Sequence, residues 1–252
     1  MSESLDRTID VPQLTDEEIL SRVLHRDGLM LVIDKPAGIP VHRGPKGGAN
    51  LEASFDALRF GLPRPPVLAH RLDKDTSGCL VLGRHRKATA SLGLLFKHGK
   101  ISKTYWAVVE GGPAEDEGTI DRPLGRLNAE RGWWQKVDPD GQPAVTNWTV
   151  MGRGRGLTWL ALEPVTGRTH QLRVHSAAQG WPIVGDNIYG TQASLRRLRN
   201  EQFARRFGEP RLHLHSREIG IPISKNKEPV RVIAPAPEHM RERLRTCGWN
   251  GE

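Results

Sequence analysis

The stretch His70-Arg71-Leu72-Asp73-Lys74-Asp75-Thr76-Ser77-Gly78 crowds acids and bases into a few positions. It lies between a proline-rich loop, Pro63-Arg64-Pro65-Pro66, and an apolar run, Cys79-Leu80-Val81-Leu82. A charged turn feeding a buried strand is where a rigid framework can present reactive groups. An ionised carboxylate there can act as a nucleophile or a base. Asp75-Thr76-Ser77-Gly78 also has the composition of a plain β-turn, with Asp and Ser bonding nearby backbone and Gly taking positive φ. A two-carboxylate hydrolase built on Asp73 and Asp75 is disfavoured, because two residues of one tight turn rarely flank a substrate. Asp75 therefore reads as a turn former.

The remaining polar residues point to no metal. His170 and His175 are five residues apart and lack the i,i+4 spacing of a helical zinc pair. His213 and His215 alternate on an expected strand, where packing explains them. Cys79 and Cys247 form neither a CxxC pair nor a metal spacing, and nothing requires an oxidising compartment. The chain of 252 residues carries a net charge of +8, which favours polyanionic partners such as nucleic acid. No apolar run is long enough to span a membrane, and the polar start is no secretory signal, so the expected location is cytoplasmic.

These residues need elements to hold them. Leu29–Ile33 reads as a strand buried on both faces, ending at the turn Asp34-Lys35-Pro36-Ala37-Gly38. Leu51–Phe60 reads as a short helix. Arg86–His98 reads as a longer one, with Ala90, Leu92, Leu94 and Leu95 toward a core. Ser102–Glu110 is β-branched and aromatic, a strand. Val145–Val150 and Leu157–Leu162 form a hairpin with a basic tip at Gly152–Gly156. Arg168–Gln179 reads as a helix stopped at Gly180. Two strands, Leu212–Ile221 and Val230–Ile233, precede a final helix over Pro237–Arg245. Strands outnumber helices without strict alternation, which predicts an α+β fold with a mixed or antiparallel sheet. Residues 1–25 read as a polar lead and 26–252 as one catalytic domain in two lobes.

Four segments stand in order: Asp34-Lys35-Pro36-Ala37-Gly38, His70–Gly78, Lys103-Thr104-Tyr105, and Gly167-Arg168-Thr169-His170-Gln171-Leu172-Arg173-Val174-His175. Together they resemble the RluA-type family of RNA pseudouridine synthases, over about residues 27 to 237. The resemblance implies an isomerase that converts particular uridines of ribosomal or transfer RNA to pseudouridine, without cofactor or metal. It implies a catalytic domain with a central sheet, flanked by helices and loops, and a cleft across it, and a monomer. Asp73 matches the essential aspartate, Tyr105 the tyrosine that stacks on the target base and is proposed to accept a proton, and Arg168 the arginine paired with the aspartate. Arg71 matches the arginine that enters the RNA stack, and Leu172 the apolar residue beneath the catalytic pair. His70 and His170 fall on the substrate side. Only about 25 residues precede the first motif, too few for the N-terminal RNA-binding domain of larger members.

The chemistry agrees with these roles. The isomerisation breaks N1–C1′ and joins C5 to C1′, so no electrons and no outside group are needed. A neighbouring Arg keeps an Asp ionised and orients it. A stacked base must be flipped out at a few kcal/mol, roughly. An Arg can fill the gap because its planar group stacks on bases. The basic segments Arg84–Lys87, Arg153–Arg155 and Arg196–Arg206 read as solvated faces with some phosphate contacts. Trp133 and Trp134 suit either base stacking or packing. The strand Glu218–Pro222 lacks the aromatic-His-Pro ending often seen in the family. The rivals are an RNA-binding protein without activity on the same fold, and the metal-free hydrolase.

Overall fold

The computed structural model describes residues 13–43, 48–128, 133–194, 212–224 and 226–251. Thr15 caps a short helix α1 (Asp16–Leu20): its hydroxyl accepts from Glu18 N while the Glu18 carboxylate accepts from Thr15 N. Ile19 of that helix is fully buried in the main core, and β1 (Val23–Arg26) pairs with β2 (Met30–Lys35). Within the polar lead, Thr15-Asp16-Glu17-Glu18 reads from the sequence as a helix start followed by Ile19, Leu20, Val23 and Leu24; α1 begins there, its acids are exposed, and Ile19 and β1 tie it to the fold.

A 3-10 helix (Leu51–Leu58) follows, with Leu51, Phe55 and Leu58 inward. Then come β3 (Val67–Leu68), β4 (Ser77–Gly83), helix α2 (Arg86–Lys97) and β5 (Ser102–Glu110). The next strands are β6 (Glu117–Asp121), β7 (Leu124–Arg126), β8 (Gln135–Val137), β9 (Val145–Gly154) and β10 (Leu157–Pro164). Helix α3 (Gln171–Ala178), β11 (Leu214–Ile221), β12 (Val230–Ile233) and helix α4 (Glu238–Thr246) complete the order.

Ten strands form one sheet in the order β1-β2-β4-β11-β5-β10-β9-β6, with β3 added to β4 and β12 to β11; β7 and β8 pair apart. Among the described residues all strand pairings are antiparallel except one. Strand β11 runs parallel to β4 where His215 meets Ser77 and Ser216 meets Gly78. Beyond that seam the two strands part, β4 taking β3 and β11 taking β12 on the freed edges. Met30, Val81, Leu92, Ile219 and Val232 fill the divergence. The mixed sheet of the α+β expectation is therefore present, with its single parallel contact beside the charged turn.

Gly78 makes this contact possible. Its φ is +103°, and a Cβ there would collide with the Ser216 carbonyl of β11. Gly152 and Gly154 likewise lie under the backbone of Cys247 and Thr246, where α4 closes over β9.

Three local expectations change. In α2 the buried residues are Ala88 and Leu92, with Leu95 and Phe96 packed beside them, whereas Ala90 and Leu94 face outward. The cap at His85, whose Nδ1 accepts from Ala88 N, sets that phase. The hairpin tip is only Arg155-Gly156, both at positive φ, so β9 runs on through Gly154. Helix α3 begins at Gln171, because His170 adopts φ +53° and breaks the helical path. The basic segment Arg196–Arg206 lies outside the described residues.

Candidate active site

The loop carrying Asp73 is fastened from below by Lys35, the last residue of β2. Its Nζ donates to the carbonyls of Pro36 (2.9 Å), Lys74 (2.8 Å) and Thr76 (2.9 Å). Gly38 N donates to the same Lys74 carbonyl at 2.9 Å. Lys35 is fully buried. Burial lowers its pKa to about 7, against the upward pull of Asp75, Asp73 and Asp34. The Asp34–Gly38 motif is therefore a clamp on the charged turn. The sequence shows the turn but not this role, since a lysine after an apolar run reads as a strand end.

Asp73 itself stays partly open, its side chain 34% exposed. Leu72, Tyr105 and Leu172 share the main core cluster beside it. Tyr105 lies on β5 between Leu162 of β10 and Ser216 of β11. Burial raises its phenol to about 12, the Ser216 hydroxyl pulling down and the Asp73 charge adding to the rise. The phenol is thus neutral near pH 7.

Arg168 was expected to pair with Asp73. It is exposed, and its Nε donates to the Pro143 carbonyl at 2.9 Å. Among the described residues the basic side chain within 4.0 Å of the Asp73 carboxylate is His170, whose Nε2 lies 3.7 Å from Oδ2 and 3.5 Å from Arg173 Nη1. The left-handed turn at His170 turns this ring inward while the preceding segment stays at the surface. Gln171 steadies the turn. Its Oε1 accepts from Arg168 N and the Thr166 hydroxyl, and its Nε2 donates to Val145 O and Thr146 Oγ1.

Behind His170 stands a buried network. Its Nδ1 lies 2.9 Å from the Tyr189 hydroxyl, which also accepts from Gln135 N at 2.9 Å. Arg173 holds Asp186 with two bonds of 2.8 Å, both side chains almost wholly buried. Asp186 Oδ1 further accepts from Ile188 N and Tyr189 N. Burial lowers the His170 pKa, with Asp73 pulling up and Arg173 pushing down. Trp133, 58% exposed, meets the His170 ring edge-on at 5.4 Å. Asp186 and Tyr189 escaped the sequence reading; the run Gly185-Asp186-Asn187-Ile188-Tyr189-Gly190 signals only a turn.

His70 is bonded to the framework. Its Nε2 accepts from Val81 N at 3.0 Å, and its ring stacks on Phe96 at 4.2 Å. Burial lowers its pKa to about 3, so it is neutral. His175 and His215 are also framework groups, bonded to Thr146 and Arg122 O, and to Ser77 and Ala234 O. Arg71 is exposed at the loop surface. Among the described residues no group of three or more His, Cys, Asp or Glu is placed to hold a metal, and no helix is long and apolar enough to cross a membrane.

A partly open carboxylate on a clamped loop, beside a neutral buried tyrosine, is a site for acid-base or nucleophilic work on an aromatic substrate. A family model described as RNA pseudouridylate synthase matches residues 29–178, which takes in all four motifs. The chain belongs to that family, and is an isomerase acting on RNA. It is 41% identical to an uncharacterized RNA pseudouridine synthase of Zymomonas mobilis, over 87% of this chain and 95% of that one. It is 38% identical to the ribosomal large subunit pseudouridine synthase D of Xanthomonas campestris, over 89% of this chain and 69% of that one. The solved structure of human RNA pseudouridylate synthase domain containing 4 aligns with a TM-score of 0.73 at 28% identity, covering 91% and 95% of the two chains.

Proposed function

We propose that this chain isomerises specific uridines of ribosomal or transfer RNA, with Asp73 as the catalytic carboxylate and the target base flipped out of its stack. The placement of Asp73 carries the reading: it is a partly open carboxylate on the clamped loop, close to His170 and Tyr105. Large-subunit ribosomal RNA has the support of the relatives' names. In the reaction the N1–C1′ bond breaks, C5 bonds to C1′, the C5 proton leaves and N1 gains one, so the sum is an isomerisation. Asp73 supports the sugar or base during that exchange. Tyr105 gives the base a flat apolar seat beside Leu72 and Leu172. Because its phenol holds its proton, water is the simpler acceptor for the proton from C5. Arg71, at the surface of the same loop, fills the vacated stack. Arg168 reaches the carboxylate only after releasing Pro143 O, as RNA enters. The chemistry calls for neither metal nor cofactor, and a cytoplasmic monomer suffices.

The test uses unmodified ribosomal and transfer RNA transcripts, with tritium release from C5-labelled uridine and chemical mapping of pseudouridine. The purified chain should modify one or a few sites, and Asp73→Asn none. Turnover by Asp73→Asn would remove Asp73 from the mechanism. No product from the wild-type chain on either RNA would refute the substrate assignment.

A further inference from the structure

We propose that Trp133 is a stacking platform for an unpaired RNA base that flanks the target uridine, a binding subsite beside Asp73. The proposal rests on the reading of Asp73 as the catalytic carboxylate. Trp106, Trp148, Trp159 and Trp181 are all buried, whereas Trp133 leaves 58% of its surface to solvent. Its ring meets the His170 ring edge-on at 5.4 Å, and His170 Nε2 lies 3.7 Å from Asp73 Oδ2. The exposed indole thus stands one side chain away from the carboxylate. An aromatic this open gains little from the core, and any base can cover it, since every base has a flat π face. RNA sequence is read mainly through unpaired bases stacked on aromatic side chains.

The platform is held from behind. Leu127 N donates to Trp134 O at 2.8 Å, Gln135 N donates to the Tyr189 hydroxyl at 2.9 Å, and the Trp134 ring meets Trp133 at 5.7 Å. The pairing of β8 with β7 starts at Gln135. These bonds fix the backbone that follows Trp133, so its ring loses little freedom when a base arrives. Leu127, also exposed, adds apolar surface at the same end of the hairpin. The target base has its own seat on Tyr105, which is buried, so the outward ring of Trp133 takes a neighbouring base instead. Stacking tolerates any sequence, so Trp133 contributes affinity and register rather than base identity.

The test pairs changes in the protein with changes in the RNA. On a transcript that carries the modified uridine, Trp133→Ala should raise KM about tenfold and leave kcat within about threefold, as for a contact equal in ground and transition states. Trp133→Phe should stay within about threefold of the native KM, and Trp133→Leu should match Trp133→Ala. A native KM for Trp133→Leu would overturn the proposal, since Trp133 would then only pack on His170. Next, an abasic nucleotide replaces each neighbour of that uridine in turn. At one of these positions Trp133→Ala should cost less than about twofold in KM. An undiminished cost at both would overturn the proposal, and so would a KM that Trp133→Ala leaves unchanged on the intact transcript. A measurement independent of turnover uses a short oligouridine, whose bases are all unpaired. The emission of the native protein less that of Trp133→Phe isolates this indole, and oligouridine must quench it; unquenched emission overturns the proposal. Failure of the Asp73 reading is separate, because it shows as turnover by Asp73→Asn with Trp133 intact.

Discussion

Replacing Lys35 with Met keeps the apolar stem and removes the ammonium that ties β2 to the Asp73 loop. Three carbonyls, of Pro36, Lys74 and Thr76, lose a donor. Bonds to a charged donor contribute roughly 1.5–3 kcal/mol each, while removing a buried charge returns several kcal/mol, so a net loss of about 2–4 kcal/mol follows. For a chain of this size that corresponds to a fall in Tm of roughly 5–15 °C. The loss must also depend on pH. The native pKa, about 7, lies below the unfolded 10.5, so between these values the unfolded chain binds more protons. Native stability therefore rises with pH through that window, by at most about 1.4 kcal/mol per unit from this group. The variant lacks that slope, and the gap between the two proteins widens from pH 7 toward 10. Denaturant unfolding at pH 6, 7.5 and 9 measures it, with kcat on RNA recorded alongside. A variant within about 0.5 kcal/mol of the native protein at all three values, a change ordinary for a surface site, would refute the clamp.

Gly78→Ala should destabilise by more than about 3 kcal/mol or prevent folding, since it combines a positive φ with a clash against Ser216; expression yield and denaturant midpoint report it. Arg173→Met should cost about 3–5 kcal/mol by leaving Asp186 charged and buried, and Arg173→Met with Asp186→Leu should recover much of that loss in chemical denaturation. His70→Leu should lower stability by about 1–3 kcal/mol through the unpaired Val81 N–H while leaving KM for RNA unchanged; a raised KM with normal stability would return His70 to the substrate. Arg168→Ala should leave the melting temperature within about 1–2 °C, because an exposed side chain with one carbonyl contact supports little of the fold; any loss should fall on kcat.

The elements that carry Asp73 and Tyr105 were legible because their surroundings are local. A dense charged turn before an apolar run marks the loop, and a β-branched, aromatic run marks β5. The α+β class followed from the same runs. The β4–β11 seam was not legible, because it joins Ser77 to His215, 138 residues apart, through a side-chain bond and a glycine contact that no local pattern records. The exposure of Arg168 and the burial of His170 were hidden for a different reason. Both belong to one motif, and only the left-handed backbone at His170 decides which side chain turns inward. Lys35 was quoted within a turn, yet its burial depends on carbonyls supplied by residues 74 and 76.

The central seam also governs when the enzyme can come into being during synthesis. Strands β4 and β5 leave the ribosome early, but the strand between them is β11, which emerges only after residues 214–221 are made. Until then β4 and β5 present open edges toward each other, and the turn after Asp73 has no Ser216 carbonyl to rest against. Joining segments so distant in the chain is slow, and unfilled edges invite wrong pairing. A nascent chain stalled short of β11 should thus bear every motif residue and still be inactive, because β4 and β5 then lack the strand that joins them.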